Sequence, residues 1–191
     1  VYVIAFLIFS SVEQVLAKIM GDVAYPALSE VARERPADLK STYYRFHLAI
    51  ASVTFFCAGS LMVSGGELIG LLYDRRYEQA GWMLEILAVA LLTIPFRVAL
   101  LTFMALGMAR LHAEIIVIRV LALFVLAPAG FHLFGLRGAM WGIVASYFSV
   151  LPMIIFHKIR HGLFDLRKEL LALSALLFGI FLAKALIMAV G

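Results

Sequence analysis

About six runs of roughly 20 apolar residues follow one another along this chain, each long enough to cross a bilayer core as a helix. Lipid gives an unpaired backbone N–H or C=O no partner, so runs of this length are helices, and they are too long for barrel strands. Only 15% of the residues are charged and 64% are hydrophobic, whereas a water-soluble domain carries about a quarter charged residues. The runs extend over about Val1–Leu28, Phe46–Tyr73, Gly81–Leu106, Ala113–Phe134, Ala139–Phe156 and Leu170–Val190. They predict an all-α, polytopic membrane helix bundle of about six transmembrane helices forming a single membrane domain over residues 1–191. The first residues are already apolar. No basic segment precedes them and no small-residue cleavage site follows, so the opening run reads as a span of a longer membrane protein and not as a signal peptide.

The loops set the orientation. The odd-numbered loops hold Arg33, Arg35, Lys40, Arg45, Arg110, Lys158, Arg160, Arg167 and Lys168, and the even-numbered ones only Arg75, Arg76 and Arg137. Cytoplasmic loops are enriched in Lys and Arg. The odd loops are therefore expected inside and the amino terminus outside. This asymmetry accounts for the net charge of +4 without nucleic-acid binding. Cys57 is the only cysteine and permits no internal disulfide. Pro36 is expected to open a short surface helix in the first loop, and the basic and apolar residues of His157–Glu169 suit an interfacial helix. Gly65-Gly66 marks a bend in span two, and Gly135-Leu136-Arg137-Gly138 a tight turn between antiparallel neighbours.

Charges inside apolar spans are costly, and they face a bundle interior or a wet cavity. Glu13, Lys18 and Asp22 lie in span one, Arg97 in span three, Arg119 in span four and Lys184 in span six. At a rise of 1.5 Å per residue, Lys18 and Arg97 lie about 15 Å from the cytoplasmic ends of their spans and Arg119 about 9 Å. The three cations thus share a slab below the midplane. Gln14, Lys18 and Asp22 recur at i, i+4 and i+8, one stripe of a helix, while Glu13 is turned about 100° from it. Plainer readings exist for each. Lys18 and Asp22 are spaced to neutralise one another, and Arg119 and Lys184 have stems long enough to snorkel to an interface. Arg97 resists such a reading, because it is deep and lies two residues after Pro95, which breaks the helical hydrogen-bond ladder and predicts a kink.

Other chemistry is thinly represented. His157 and His161 have the spacing of a helical metal pair, but no third ligand accompanies them and Lys158 and Arg160 repel a cation, so no metal site is expected. There is no glycine-rich nucleotide loop and no nucleophile elbow. An integral-membrane transferase would need a polar loop with clustered Asp or His, which is absent, so an enzyme is not expected.

Glu67–Ala88, Val23–Glu30, Ala105–Leu111 and Phe134–Gly142 together resemble the polysaccharide (lipid-linked oligosaccharide) flippases of the multidrug/oligosaccharidyl-lipid/polysaccharide exporter superfamily. Glu67–Ala88, ELIGLLYDRRYEQAGWMLEILA, resembles an outer loop and the helix after it. Val23–Glu30, VAYPALSE, is similar to a helix end that closes on the cytoplasm. Ala105–Leu111, ALGMARL, is similar to a short inner turn, and Phe134–Gly142, FGLRGAMWG, to an outer turn. The resemblance implies most of the second lobe of a two-lobe, alternating-access transporter. Its implied partners are membrane lipids, the missing amino-terminal lobe of the same chain and an undecaprenyl-diphosphate-linked oligosaccharide moved across the bacterial inner membrane, a step of surface-polysaccharide or lipopolysaccharide synthesis. No cofactor is implied, and the coupling ion, H+ or Na+, is left open. Depth and charge then nominate Arg97, Lys18 and Arg119 as head-group contacts, Glu13 and Asp22 as coupling or gating residues, and Pro95 as the kink. A cation-coupled multidrug exporter of the same superfamily and a non-transporting membrane scaffold are the alternatives.

Overall fold

A computed structural model describes residues 2–190, apart from the side chains of Arg75, Ala189 and Val190. Val1 and the Arg75 side chain therefore lie outside the described residues. The described chain is almost wholly helical: α1 (Tyr2–Ile19), α2 (Tyr25–Glu34), α3 (Leu39–Leu72), α4 (Gln79–Ala90), α5 (Arg97–Ala105), α6 (Ala109–Phe148), α7 (Leu151–Arg160) and α8 (Leu166–Val190). No strand occurs among the described residues. Five helical segments are long and apolar enough to cross a membrane: Tyr2–Glu34, Pro36–Leu72, Gln79–Ala105, Ala109–Arg160 and Leu166–Met188.

Two of these segments change helical type part-way, each beside a proline. Between α1 and α2 the chain widens into a π-helix over Met20–Ala24, and the Tyr25 N–H reaches back to the Met20 carbonyl. Pro26 follows directly. A proline offers no N–H and its ring pushes on the carbonyl four residues earlier, which here belongs to Asp22, so the added residue per turn relieves the clash. Between α4 and α5 the chain instead tightens into a 3-10 helix over Leu91–Phe96, with Pro95 inside it.

The 52-residue segment Ala109–Arg160 is a hairpin. Phe134 and Gly135 leave helical geometry, with Gly135 at φ 64° and ψ −148°. The first of these angles lies in the left-handed region that glycine enters without penalty. Past the reversal, Gly138 packs its backbone against Gly130, and Gly142 against Leu126. Small residues permit this approach, as they do between membrane helices. A second interruption at Ser149-Val150 separates α6 from α7, whose first turn carries Pro152.

The segment Gln79–Ala105 is the centre of the bundle. Of its most apolar window 67% is buried, against 6% for that of Ala109–Arg160. α3 crosses α4 at Gly65, Gly66 and Gly81, where a Cβ on Gly81 would come within 2.7 Å of the Gly66 Cα. The glycine pair expected to bend span two is thus a packing seat in an unbroken helix. α8 lies along α3, with the Gly179 backbone against Phe56 and the Ser60 hydroxyl donating to the Gly179 carbonyl at 3.4 Å.

The two expected surface helices are absent. Pro36 opens a single 3-10 turn that runs straight into α3. Between α7 and α8 there is only a turn around Gly162, at φ 67°. The odd-numbered loops nevertheless gather at one end. Lys40 Nζ donates to the Phe164 carbonyl at 3.5 Å, and Tyr25, Ser29 and Arg33 form a shallow groove with Met104 and Ala105. At the other end the Arg137 guanidinium lies 5.5 Å from the centre of the Trp82 ring.

Candidate functional site

The two proline-associated irregularities face one cavity. It has a volume of about 370 Å³ and is lined by α1, the π segment, the 3-10 segment, α5, both arms of α6 and α7. Glu13, Ala17, Met20 and Gly21 line it from the first segment, Thr93 and Arg97 from the centre, His112 and Arg119 from the first arm of the hairpin, and Tyr147 from the second. Leu100, Ile115, Val150 and Ile154 supply apolar wall.

Inside it, the Arg97 guanidinium donates through Nη2 to Glu13 Oε1 in an ion pair. The pair spans α1 and α5, and both side chains are mostly covered, at 27% and 19% exposure. Arg119 lies over the Tyr147 ring at 3.8 Å from its centre, a cation–π contact. Among the described residues Arg119 has no carboxylate within ion-pair distance. His112 Nδ1 is buried and has no hydrogen-bond partner among the described residues. The chamber therefore holds two guanidinium groups against one carboxylate, with a spare imidazole nitrogen, inside apolar walls. Such a site favours an anion that offers several acceptor oxygens, because arginine forks match phosphate and carboxylate geometry.

Of the residues singled out by depth and charge, the structure brings together Arg97, Arg119 and Glu13. It places Lys18 and Asp22 elsewhere, exposed and outside the cavity lining. Five residues separate Glu13 from Lys18, about 140° around a helix, so the two face different ways. The wall is made by the stripe Glu13, Ala17, Gly21, one residue out of phase with Gln14, Lys18 and Asp22. Its small members make room, and a Cβ on Gly21 would meet nothing within 4 Å. Pro95 lies in the 3-10 segment as described, two residues before α5 starts at Arg97. Lys184 is exposed on α8.

A second polar cluster was not legible beforehand. Lys158, at the end of α7, has no exposed surface, and its ammonium donates to Glu169 Oε1 at the start of α8. Glu169 Oε2 lies 3.1 Å from His47 Nε2 on α3. His47 Nδ1 is 3.2 Å from the Tyr43 hydroxyl and 3.1 Å from the Pro95 carbonyl. With its proton on Nε2, the ring donates to Glu169 and accepts from Tyr43. A second proton on Nδ1 would let it donate to Pro95. The Lys158 ammonium also lies 5.3 Å from the ring centres of both Tyr43 and Phe96. The cluster thus ties α3, α7 and α8 to the 3-10 segment that leads into Arg97. A third partly covered carboxylate, Glu85, accepts the Gly66 N–H at 3.0 Å at the α3–α4 crossing.

His157 and His161 stack with ring centres 6.5 Å apart, and His157 Nδ1 bonds the Met153 carbonyl at 2.9 Å. No group of three or more His, Cys, Asp or Glu side chains placed to hold a metal occurs among the described residues.

The chain is thus an all-helical protein with membrane-length apolar helices and a cationic internal cavity. Comparison with protein-family models, with curated proteins and with solved structures finds no match.

Proposed function

We propose that the protein is a multi-pass flippase domain of the bacterial inner membrane that moves an undecaprenyl-diphosphate-linked oligosaccharide by alternating access. The observation that carries this reading is the convergence of Arg97 and Arg119 on one cavity within apolar helices. A diphosphate cannot cross hydrocarbon bare, and fixed guanidinium groups lower its barrier by charge-assisted hydrogen bonds. In this reading the hairpin counts as two spans, giving six. The four flippase-like segments support reading the chain as part of a second lobe, with the other lobe and the bilayer as its partners. The lipid tail stays in the bilayer while the head group passes the cations.

A drug exporter driven by a cation would need a carboxylate free to bind that cation, whereas Glu13 is engaged by Arg97. A scaffold would place no demand on either arginine. The test is complementation of a flippase-null strain. Arg97→Ala and Arg97→Leu should cut surface-polysaccharide output at least about tenfold, the scale of one lost charge-assisted contact of ~1.4 kcal/mol, at unchanged membrane levels. Normal output from Arg97→Leu would favour the scaffold.

A further inference from the structure

The cavity holds its own surrogate anion. Glu13 supplies its Oε1 to the Arg97 guanidinium, while, among the described residues, Arg119 lies over the Tyr147 ring with no carboxylate in ion-pair distance and His112 Nδ1 has no partner. Two of the three cationic or donor groups therefore lack an anionic partner, and the third is occupied. A cation–π contact is weaker than a charge-assisted hydrogen bond between a guanidinium and a carboxylate in a poorly hydrated site. Arg119 is accordingly the easier group to recruit and Arg97 the harder.

We propose that Glu13 is a built-in counter-ion of an oxyanion site, and that a ligand of the phosphate or diphosphate class engages Arg119 and His112 first and then displaces Glu13 from Arg97. The inference deepens the head-group reading of this cavity, although it concerns binding and not transport. A monovalent anion held at Arg119 alone would leave the Glu13–Arg97 pair intact. A ligand with two charged oxyanion centres can bridge both guanidinium groups, so the exchange selects for diphosphates. Displacement leaves a carboxylate facing Ala17, Thr93 and the wall of α7, with Arg97, Arg119, His112 and Tyr147 as the charged and titratable groups around it. The bound ligand thus pushes directly on α1, on the stripe next to the π segment.

The test measures binding to the whole chain in nanodiscs by titration calorimetry. Inorganic pyrophosphate and a long-chain prenyl diphosphate serve as separate probes, because a free and a lipid-borne diphosphate share this chemistry. Glu13→Gln should tighten diphosphate binding about tenfold, or ~1.4 kcal/mol, and Glu13→Asp should tighten it less. In an Arg97→Ala background the Glu13→Gln gain should vanish, and Arg119→Ala or His112→Ala should weaken binding in every background. If only the prenyl diphosphate binds and shows this pattern, the exchange stands and the ligand is the lipid form. Unchanged or weaker binding in both Glu13 variants overturns the proposal. So does a gain that persists without Arg97, or an absence of binding by either probe to any folded variant. Should the exchange hold while Arg97→Leu still complements, the flippase reading falls and the oxyanion site remains.

Discussion

Lys158 has an ionic head with no contact to solvent, and its burial is tolerated only because Glu169 and a ring of aromatic faces replace water. Removing ions from water costs several kcal/mol each, and a lone partner left behind is penalised by about 3–5 kcal/mol. Lys158→Met and Glu169→Gln should therefore each lower the melting temperature in detergent strongly. The double variant should be less destabilised than the two effects added together, and thermal melts of the four proteins check this as a cycle. Additive losses would mean that the two side chains act apart. The sequence places Lys158 among loop cations and gives His47 and Glu169 no role. Their partnership joins residues more than a hundred positions apart, and only the docking of α8 on α3 reveals it. The reverse holds for Lys18. Its depth made it look like a site residue, but depth fixes only the height of a side chain in a helix, while Glu13 and Lys18 point about 140° apart.

At the level of elements, two prolines shape the cavity by distorting its walls in opposite senses. Pro26 accompanies a widened turn over Met20–Ala24, and Pro95 sits within a narrowed one over Leu91–Phe96. The first exposes Gly21 to the chamber, and the second sets Thr93 and Arg97 on its wall. The interruption at Pro95 was readable from residue type alone, because a missing N–H acts locally. The widened turn was not anticipated, since Pro26 can also sit at the start of a new helix. Interior proline costs a helix about 3 kcal/mol relative to alanine, so Pro95→Ala should raise the melting temperature. It should also lower transport, because a regular turn there would rotate Arg97 away from Glu13. Complementation and a melting curve on the same variant check both halves. A variant that is both more stable and fully active would show that the 3-10 segment is incidental to the site.

The whole molecule alternates. At one end Lys40 bonds the Phe164 carbonyl, and Ser29 and Met104 line one groove at the ends of α2 and α5; at the other end Arg137 lies over Trp82, near the start of α4. The membrane-length apolar helices were legible because hydrophobic length is a property of segments, although the structure has five such helical segments where about six apolar runs were expected. The shared cavity was not, because it depends on which faces meet. The same alternation yields a prediction about orientation. Basic residues crowd the odd end, and a cytoplasmic leaflet favours that arrangement. Cys57 is the sole native cysteine, so one substitution gives a cysteine-free background for labelling. Single cysteines at Ser41, Arg110 and Arg167 should react with a membrane-impermeant maleimide only after the cells are opened. Cysteines at Arg76 and Arg137 should react in intact spheroplasts. Labelling of Arg76 and Arg110 from the same side would mean that Gln79–Ala105 does not cross the bilayer. The central cavity would then have no opposite faces to connect, and alternating access through it would lose its geometric basis.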